Sequence, residues 1–189
     1  HVRGAVEAAK AGGADAIVVA LLHGYANPAN ERRVAELIRT TAPSLEITLA
    51  SDVWPVIREY ERTVTVTVAG YVQRRVAQYL TSLQAALKEA GVRCEPMITK
   101  SNGGVMRAEL GKRNPIQMLL SGTASGVIGA ARIARNSGAK NVLSLDVGGT
   151  SADVAIIVDG KPRFGTGELV GEFPIHIPTV SVTSIGAGG

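Results

Sequence analysis

The chain has 189 residues, a formal net charge of +4, 46% apolar and only 4% aromatic residues, so it has room for one large domain or two small ones around a core of Val, Ile, Leu and Ala. Its longest apolar run, AIVVALL, is too short for a bilayer, which takes roughly 20 residues, and its single cysteine, Cys94, excludes an internal disulfide and fits a reducing cytoplasm. The basic pairs Arg32-Arg33, Arg74-Arg75 and Lys112-Arg113 are scattered rather than gathered into one stripe, which argues against nucleic acid as a partner.

The N-terminal HVRGAVEAAKAGG reads as an amphipathic helix over 2–11 stopped at Gly12-Gly13, not as a signal peptide. A start at His1 without Met points to a piece of a longer polypeptide. Residues 15–22 form a continuous apolar run, expected of a strand covered on both faces. Asn27 can then cap a helix with Pro28 at its first position, carrying Val34, Leu37 and Ile38 as its apolar stripe. Residues 46–51 read as the next strand, which completes a βαβ unit with parallel pairing.

RTVTVTVAGYV alternates with period two, the signature of a strand over 63–68. It runs without a break into a segment where Val76, Leu80, Leu83 and Leu87 keep helical spacing up to Gly91. VRCEPMITKSNGGVM predicts a strand ending in a polar loop, Ser101–Gly104, with Cys94 packed near the strand start. NPIQMLLSGTASGVIGAARIARNSG predicts a helix whose first half presents small residues, among them Gly122, Gly126 and Gly129. Such a face invites a tight helix–helix contact, since Gly otherwise costs a helix about 1 kcal/mol against Ala. Ser121 is read as that helix's cap.

The most informative stretch is NVLSLDVGGTSADVAIIVDGKP. VLSLDV and DVAIIV read as antiparallel strands about the turn Gly148-Gly149-Thr150-Ser151, and Asp159-Gly160 makes a second tight turn. This is not a Walker loop, which leads into a helix and ends in Gly-Lys-Ser/Thr. Glycines let backbone N–H groups approach an anion, and Thr150 and Ser151 add hydroxyl donors. A carboxylate beside phosphate needs a cation between them, so Asp146 and Asp153 suit a hydrated Mg²⁺ or the positioning of an attacking group. On spacing alone the stretch fits equally well a hairpin whose Asp and Thr satisfy turn backbone.

A small-residue helix followed by strand, Asp-x-Gly-Gly-Thr and strand resembles the second phosphate hairpin of the actin, sugar-kinase and heat-shock-chaperone ATPase superfamily. More closely, the chain resembles the hydantoinase A/5-oxoprolinase family. The matching pieces are NPANERRVAELI, SDVWPVIREYERTVTVTVAGYV, SNGGVM, LLSGTASGVIGAA, DVGGTSADVAIIVDGKP and PTVSVTSIGAGG, in the family's order over nearly all of the chain. Departures include Thr123 where the family often has Pro, Ala152 where Thr is common, and Asn30 where it often has His.

The resemblance implies an α/β fold, ribonuclease-H-like (actin-like ATPase) layers with a mixed sheet, incomplete in this chain. It implies that residues 58–88 are mostly helical despite the Thr-Val alternation. Residues 1–52 would be the end of the N-terminal hydantoinase/oxoprolinase region and 53–189 the first part of the hydantoinase A domain. The function implied is that of a fragment of an ATP-dependent cyclic-amide hydrolase acting by phosphorylation of the ring carbonyl, with ATP and Mg as cofactors. A hydantoinase B-type subunit or domain would be its partner. Alternatives are a subunit of an ATP-dependent ketone carboxylase and a non-catalytic actin-like nucleotide-binding module. By resemblance Asp146 and Asp153 are catalytic, with Asp146 also the metal ligand. Gly148, Gly149, Thr150 and Ser151 bind the cofactor. The SNGG turn either is an ordinary turn or lines the cleft with Asn102, Gly103 and Gly104. The family's first phosphate hairpin would precede His1 and its adenosine-contacting part would follow Gly189, so the isolated chain is expected to be inactive.

His1, His23 and His176 show no ligand spacing, and one cysteine cannot build a zinc site. SGTASG is out of register for a nucleophile elbow. TSIGAGG reads as a frayed terminus or the start of another anion-binding turn.

Overall fold

In a computed structural model, described over residues 1–186, the early alternation of helix and strand folds as a parallel unit. Helix α1 (Val2–Ala11) leads to strand β1 (Ala16–Val19), helix α2 (Ala29–Thr41) and strand β2 (Glu46–Leu49). β1 and β2 pair in parallel from Ala16↔Glu46 to Val19↔Leu49. Both strands are shorter than the sequence predicts: Leu22 is exposed, and Ala50–Val53 turn into a one-turn helix, α3. Asn27 does hold the entry to α2, its Oδ1 accepting the Ala29 N–H at 3.0 Å, with Pro28 just ahead of the first helical residue. Val6, Val19, Ala35, Ile38, Leu45 and Leu49 close the core of this part, each large side chain worth about 1.5–3 kcal/mol of burial.

Residues 59–89 form one long helix, α4, so the strand periodicity over 63–68 loses to tertiary context, as the family resemblance implies. Arg62, Thr65, Val66, Ala69 and Gly70 are buried, a stripe at i, i+3, i+4, i+7 and i+8 that only a helix aligns. The Thr67 hydroxyl donates to the Thr63 carbonyl at 2.7 Å, satisfying one turn back a group that would otherwise compete with the helix. At Gly70 the helix lies against the strands so closely that a Cβ there would meet Val18 Cγ2 at 2.7 Å and Thr48 Oγ1 at 3.2 Å. The buried stripe and this contact are what overrule the strand preference of the threonines and valines.

The chain divides into two units. One comprises His1–Ser82, Lys112–Ile116 and Leu169–His176; the other comprises Leu83–Gly111, Gln117–Glu168 and the chain from Ile177 on. Helix α5 (Ala108–Arg113) and strand β9 (Glu168–Val170) each straddle a boundary of this division along the chain, and β10 (Phe173–Ile175), which pairs with β9, belongs to the first unit.

In the second unit β3 (Met97–Thr99) and β4 (Val105–Arg107) form an antiparallel hairpin. A 3-10 turn over Pro115–Met118 and helix α6 (Ser121–Asn136) follow. The predicted single helix over this segment is broken at Leu120, which sits at φ +59, and Ser121 is the first helical residue without a capping bond. Strands β5 (Val142–Val147), β6 (Ser151–Val158), β7 (Lys161–Pro162) and β12 (Thr183–Gly186) make an antiparallel sheet in which β6 lies between β5 and β12. β8 (Phe164–Gly165) pairs with β11 (Thr179–Val180). Together with the parallel β1–β2 pair, this makes the chain mixed α/β, not all-parallel.

Ala124, Val127 and Ala131 of α6 pack on Ala155, Ile157 and Val180. The small face does not make the predicted helix–helix contact: a Cβ on Gly122, Gly126 or Gly129 would meet nothing within 4 Å. Cys94, predicted to pack, is exposed. No helix among the described residues is long and apolar enough to cross a membrane.

Candidate functional site

The stretch 142–164 is the predicted hairpin. Val142↔Ile157 through Val147↔Ala152 run in unbroken antiparallel register, and Asp159 and Gly160, both at positive φ, turn the chain into β7. Alternation along the strands puts Val142, Ala155 and Ile157 toward α6 and, on the same face, Asp146 and Asp153. These two aspartates are direct cross-strand partners, an arrangement that ordinarily costs stability through like-charge repulsion.

The two carboxylates have different surroundings. Asp153 Oδ1 accepts the Ser184 hydroxyl at 2.5 Å, and its Oδ2 accepts the Thr123 hydroxyl at 3.2 Å. Asp146 is exposed, with no hydrogen-bond or ion-pair partner among the described residues. Thr123 and Ser184 escaped the sequence reading as site residues. They lie 30 and 31 positions from Asp153, and no local spacing marks them.

Between the strands, Gly148 donates its N–H to the Ser151 carbonyl at 2.8 Å, which closes the turn and removes that donor. The N–H groups of Gly149 and Thr150 meet no backbone acceptor among the described residues. A Cβ at Gly149 would meet nothing within 4 Å, so the backbone there is open to an incoming group. Beside the turn, a groove of about 460 Å³ runs between α6 and β5 and is lined by Thr123, Gly126, Ala130, Leu145, Asp146 and Asp153. Among the described residues no group of three or more His, Cys, Asp or Glu is placed to hold a metal ion.

The SNGG loop is a built turn. Gly103 donates to the Lys100 carbonyl at 2.9 Å, and Asn102 Oδ1 accepts the Gly104 N–H at 3.0 Å. Ser101 is buried, its hydroxyl within reach of the Gln117 and Leu119 carbonyls at 2.8 and 2.6 Å. Gly103 has φ +76, and a Cβ on it would meet Ile128 of α6 at 2.7 Å. The loop is therefore pinned to the helix that also carries Thr123. Of the C-terminal TSIGAGG, residues 183–186 pair with β6; 187–189 lie outside the described residues.

The sequence profile of the hydantoinase/oxoprolinase family matches residues 62–189, and that of the hydantoinase/oxoprolinase N-terminal region matches residues 1–42. The chain belongs to the hydantoinase/oxoprolinase family. It is 32% identical over 179 residues to the acetone carboxylase beta subunit of Xanthobacter autotrophicus, covering 93% of this chain and 25% of that subunit. It is 30% identical over 190 residues to the 5-oxoprolinase of Saccharomyces cerevisiae, covering 100% of this chain and 14% of that protein. The crystal structure of the ATP-dependent caprolactamase from Pseudomonas jessenii superimposes with a TM-score of 0.86 at 26% identity, over 100% of this chain and 27% of that one. The chain thus spans about a quarter or less of the length of these relatives.

Proposed function

We propose that the complete protein containing this chain is an ATP-dependent hydrolase of cyclic amides, and that the β5–β6 hairpin is one side of its nucleotide site. The observation that carries this reading is the open Gly149-Thr150 turn beside a free carboxylate, Asp146, at the mouth of a groove. The kinship to an oxoprolinase and to an ATP-dependent caprolactamase supports it.

The residues present fit the cofactors. Mg²⁺ holds most of its water and is commonly bound through one or two carboxylates plus phosphate oxygens; Asp146, exposed and unpartnered, suits that role without a larger acidic cluster. The N–H groups of Gly149 and Thr150, with the Thr150 and Ser151 hydroxyls, would receive phosphate oxygens, and Gly148 shapes the turn. ATP, when bound, supplies a phosphoryl group that turns an unreactive ring carbonyl into a good electrophile. The chain's part is then positioning and electrostatic stabilisation. Asn102, Gly103 and Gly104 would border the substrate.

On this reading the sheet belongs to a ribonuclease-H-like, actin-like ATPase layer. Residues 1–52 would close the N-terminal region and 53–189 open the hydantoinase A domain. The remaining length of the relatives would supply the rest of the nucleotide site. A hydantoinase B-type subunit would complete a cytoplasmic enzyme, in keeping with relatives named as subunits. The isolated chain would then bind ATP weakly, since few fixed contacts cannot offset the freedom a ligand loses.

The identity to an acetone carboxylase subunit favours a second reading, a subunit of a ketone carboxylase. One assay separates them: ATP hydrolysis by the complete protein against cyclic amides, and against ketones with bicarbonate, with products identified. Ring-opened amino acids establish the hydrolase and carboxylated ketones the carboxylase. No stimulation by either class leaves a non-catalytic nucleotide-binding module.

A further inference from the structure

The hairpin's two carboxylates face the same way, yet among the described residues one of them alone, Asp153, takes hydrogen bonds. Asp153 takes one hydroxyl on each oxygen, from Thr123 in the first turn of α6 and from Ser184 on β12. Three separate elements thus meet at one carboxylate. The Ser184 bond, at 2.5 Å, has the length of a charge-assisted bond, and the Thr123 bond is longer at 3.2 Å; one on each oxygen, the two hold the plane of the carboxylate and draw off part of its negative charge. Asp146, its register partner, has no such bonds among the described residues.

We propose that Thr123 and Ser184 are positioning residues that clamp Asp153, so that Asp146 alone of the pair receives the cation. This rests on the reading of the hairpin as a phosphate and Mg²⁺ site. Asp153 is then a fixed neighbouring charge rather than a ligand. Without the clamp its freed oxygens turn toward the same cation, which is held more tightly but in the wrong place. Attraction between unlike charges strengthens as they approach, whereas catalysis needs the charge aimed at the transition state. The signature is a split: affinity for the cation rises while turnover falls. A variant that merely loosened the fold would lose both.

The test uses the complete protein. Mg²⁺ is titrated calorimetrically into the ADP-saturated wild type, Thr123→Val, Thr123→Ser, Ser184→Ala and Asp146→Asn, and kcat for stimulated ATP hydrolysis is measured on each. The expected result for Thr123→Val and Ser184→Ala is a Mg²⁺ Kd lowered about threefold or more with kcat lowered about tenfold, the scale of one lost hydrogen bond to a charged group. Thr123→Ser, which keeps the hydroxyl, behaves as wild type. Ser184 is exposed, so its variant decides the matter even if Thr123→Val unfolds. Unchanged Mg²⁺ affinity and kcat in Ser184→Ala, or a parallel loss of both, overturns the clamp. If Asp146→Asn at the same time loses turnover and Mg²⁺ binding, the phosphate-site reading survives that failure. Near-normal turnover and Mg²⁺ binding by Asp146→Asn overturn the reading and the clamp together.

Discussion

Glu31 and Arg62, both fully buried, hold the two ends of one residue: Glu31 Oε1 accepts the Leu21 N–H at 2.9 Å, and an Arg62 amino group donates to the Leu21 carbonyl at 2.7 Å. Leu21 lies just past β1, where the chain turns away from the sheet. The second Glu31 oxygen accepts the Ser51 N–H at 2.8 Å just past β2, and Arg62 also reaches the Val56 carbonyl and Glu59. Two ionic side chains therefore replace the missing ladder at the ends of both parallel strands.

Removing Glu31 leaves two partly buried backbone donors, those of Leu21 and Ser51, unpaired, each worth about 1–3 kcal/mol. Glu31→Ala is expected to destabilise the protein by about 2–5 kcal/mol, read as a lowered urea midpoint. A loss below 1 kcal/mol would show that water replaces the carboxylate freely.

Gly103→Ala places a side chain at φ +76 and drives its Cβ into Ile128. The conformational cost is about 1–2 kcal/mol, and overpacking adds about 1–3 kcal/mol. Gly103→Ala combined with Ile128→Ala, which removes both clashing carbons, and compared by denaturation with Ile128→Ala alone, is expected to recover the packing part only.

The open face of α6 predicts the opposite sign. Gly129 has space around it, so Gly129→Ala is expected to stabilise this chain by up to about 1 kcal/mol through helix propensity alone. A lower melting temperature would mean that something approaches the helix there.

Glu61, in the first turn of α4, has its carboxyl held below the ordinary carboxylate range, chiefly by its own backbone N–H. Arg58 adds a hydrogen bond at 3.3 Å, and His176 contributes more distantly. A depressed folded pKa gives stability that is fully present above the unfolded value and lost as pH falls through the folded one. Glu61→Gln should therefore be less stable than wild type at neutral pH and converge with it on acidification through the carboxylate range. A constant gap across that range would refute the linkage.

How much of this was legible beforehand differs by element. The hairpin was plain because strand alternation, a glycine turn and Asp159-Gly160 all agree within 22 residues. Helix α4 was not locally legible: Thr and Val prefer strands, and what overrules them is burial of a helical stripe and the close passage of Gly70 by Val18 and Thr48. The break at Leu120 has no sequence mark, since leucine rarely takes positive φ. At the candidate site, spacing singles out Asp146 and the turn glycines but fits an ordinary hairpin equally well, and their proposed role rests on the family resemblance. The hydroxyls on Asp153 come from residues about 30 positions away in either direction and become neighbours only on folding.

Among the described residues strand β5 ends the sheet on one side, and its Leu143, Leu145 and Val147 are 66%, 62% and 63% exposed. An apolar, six-residue border with unpaired backbone groups is a template for another strand. Wherever it is left uncovered, during synthesis, after proteolysis or in a shortened chain, copies can recruit one another into aggregates. A charged residue in place of Leu145 would then be a remedy for insolubility rather than a lesion.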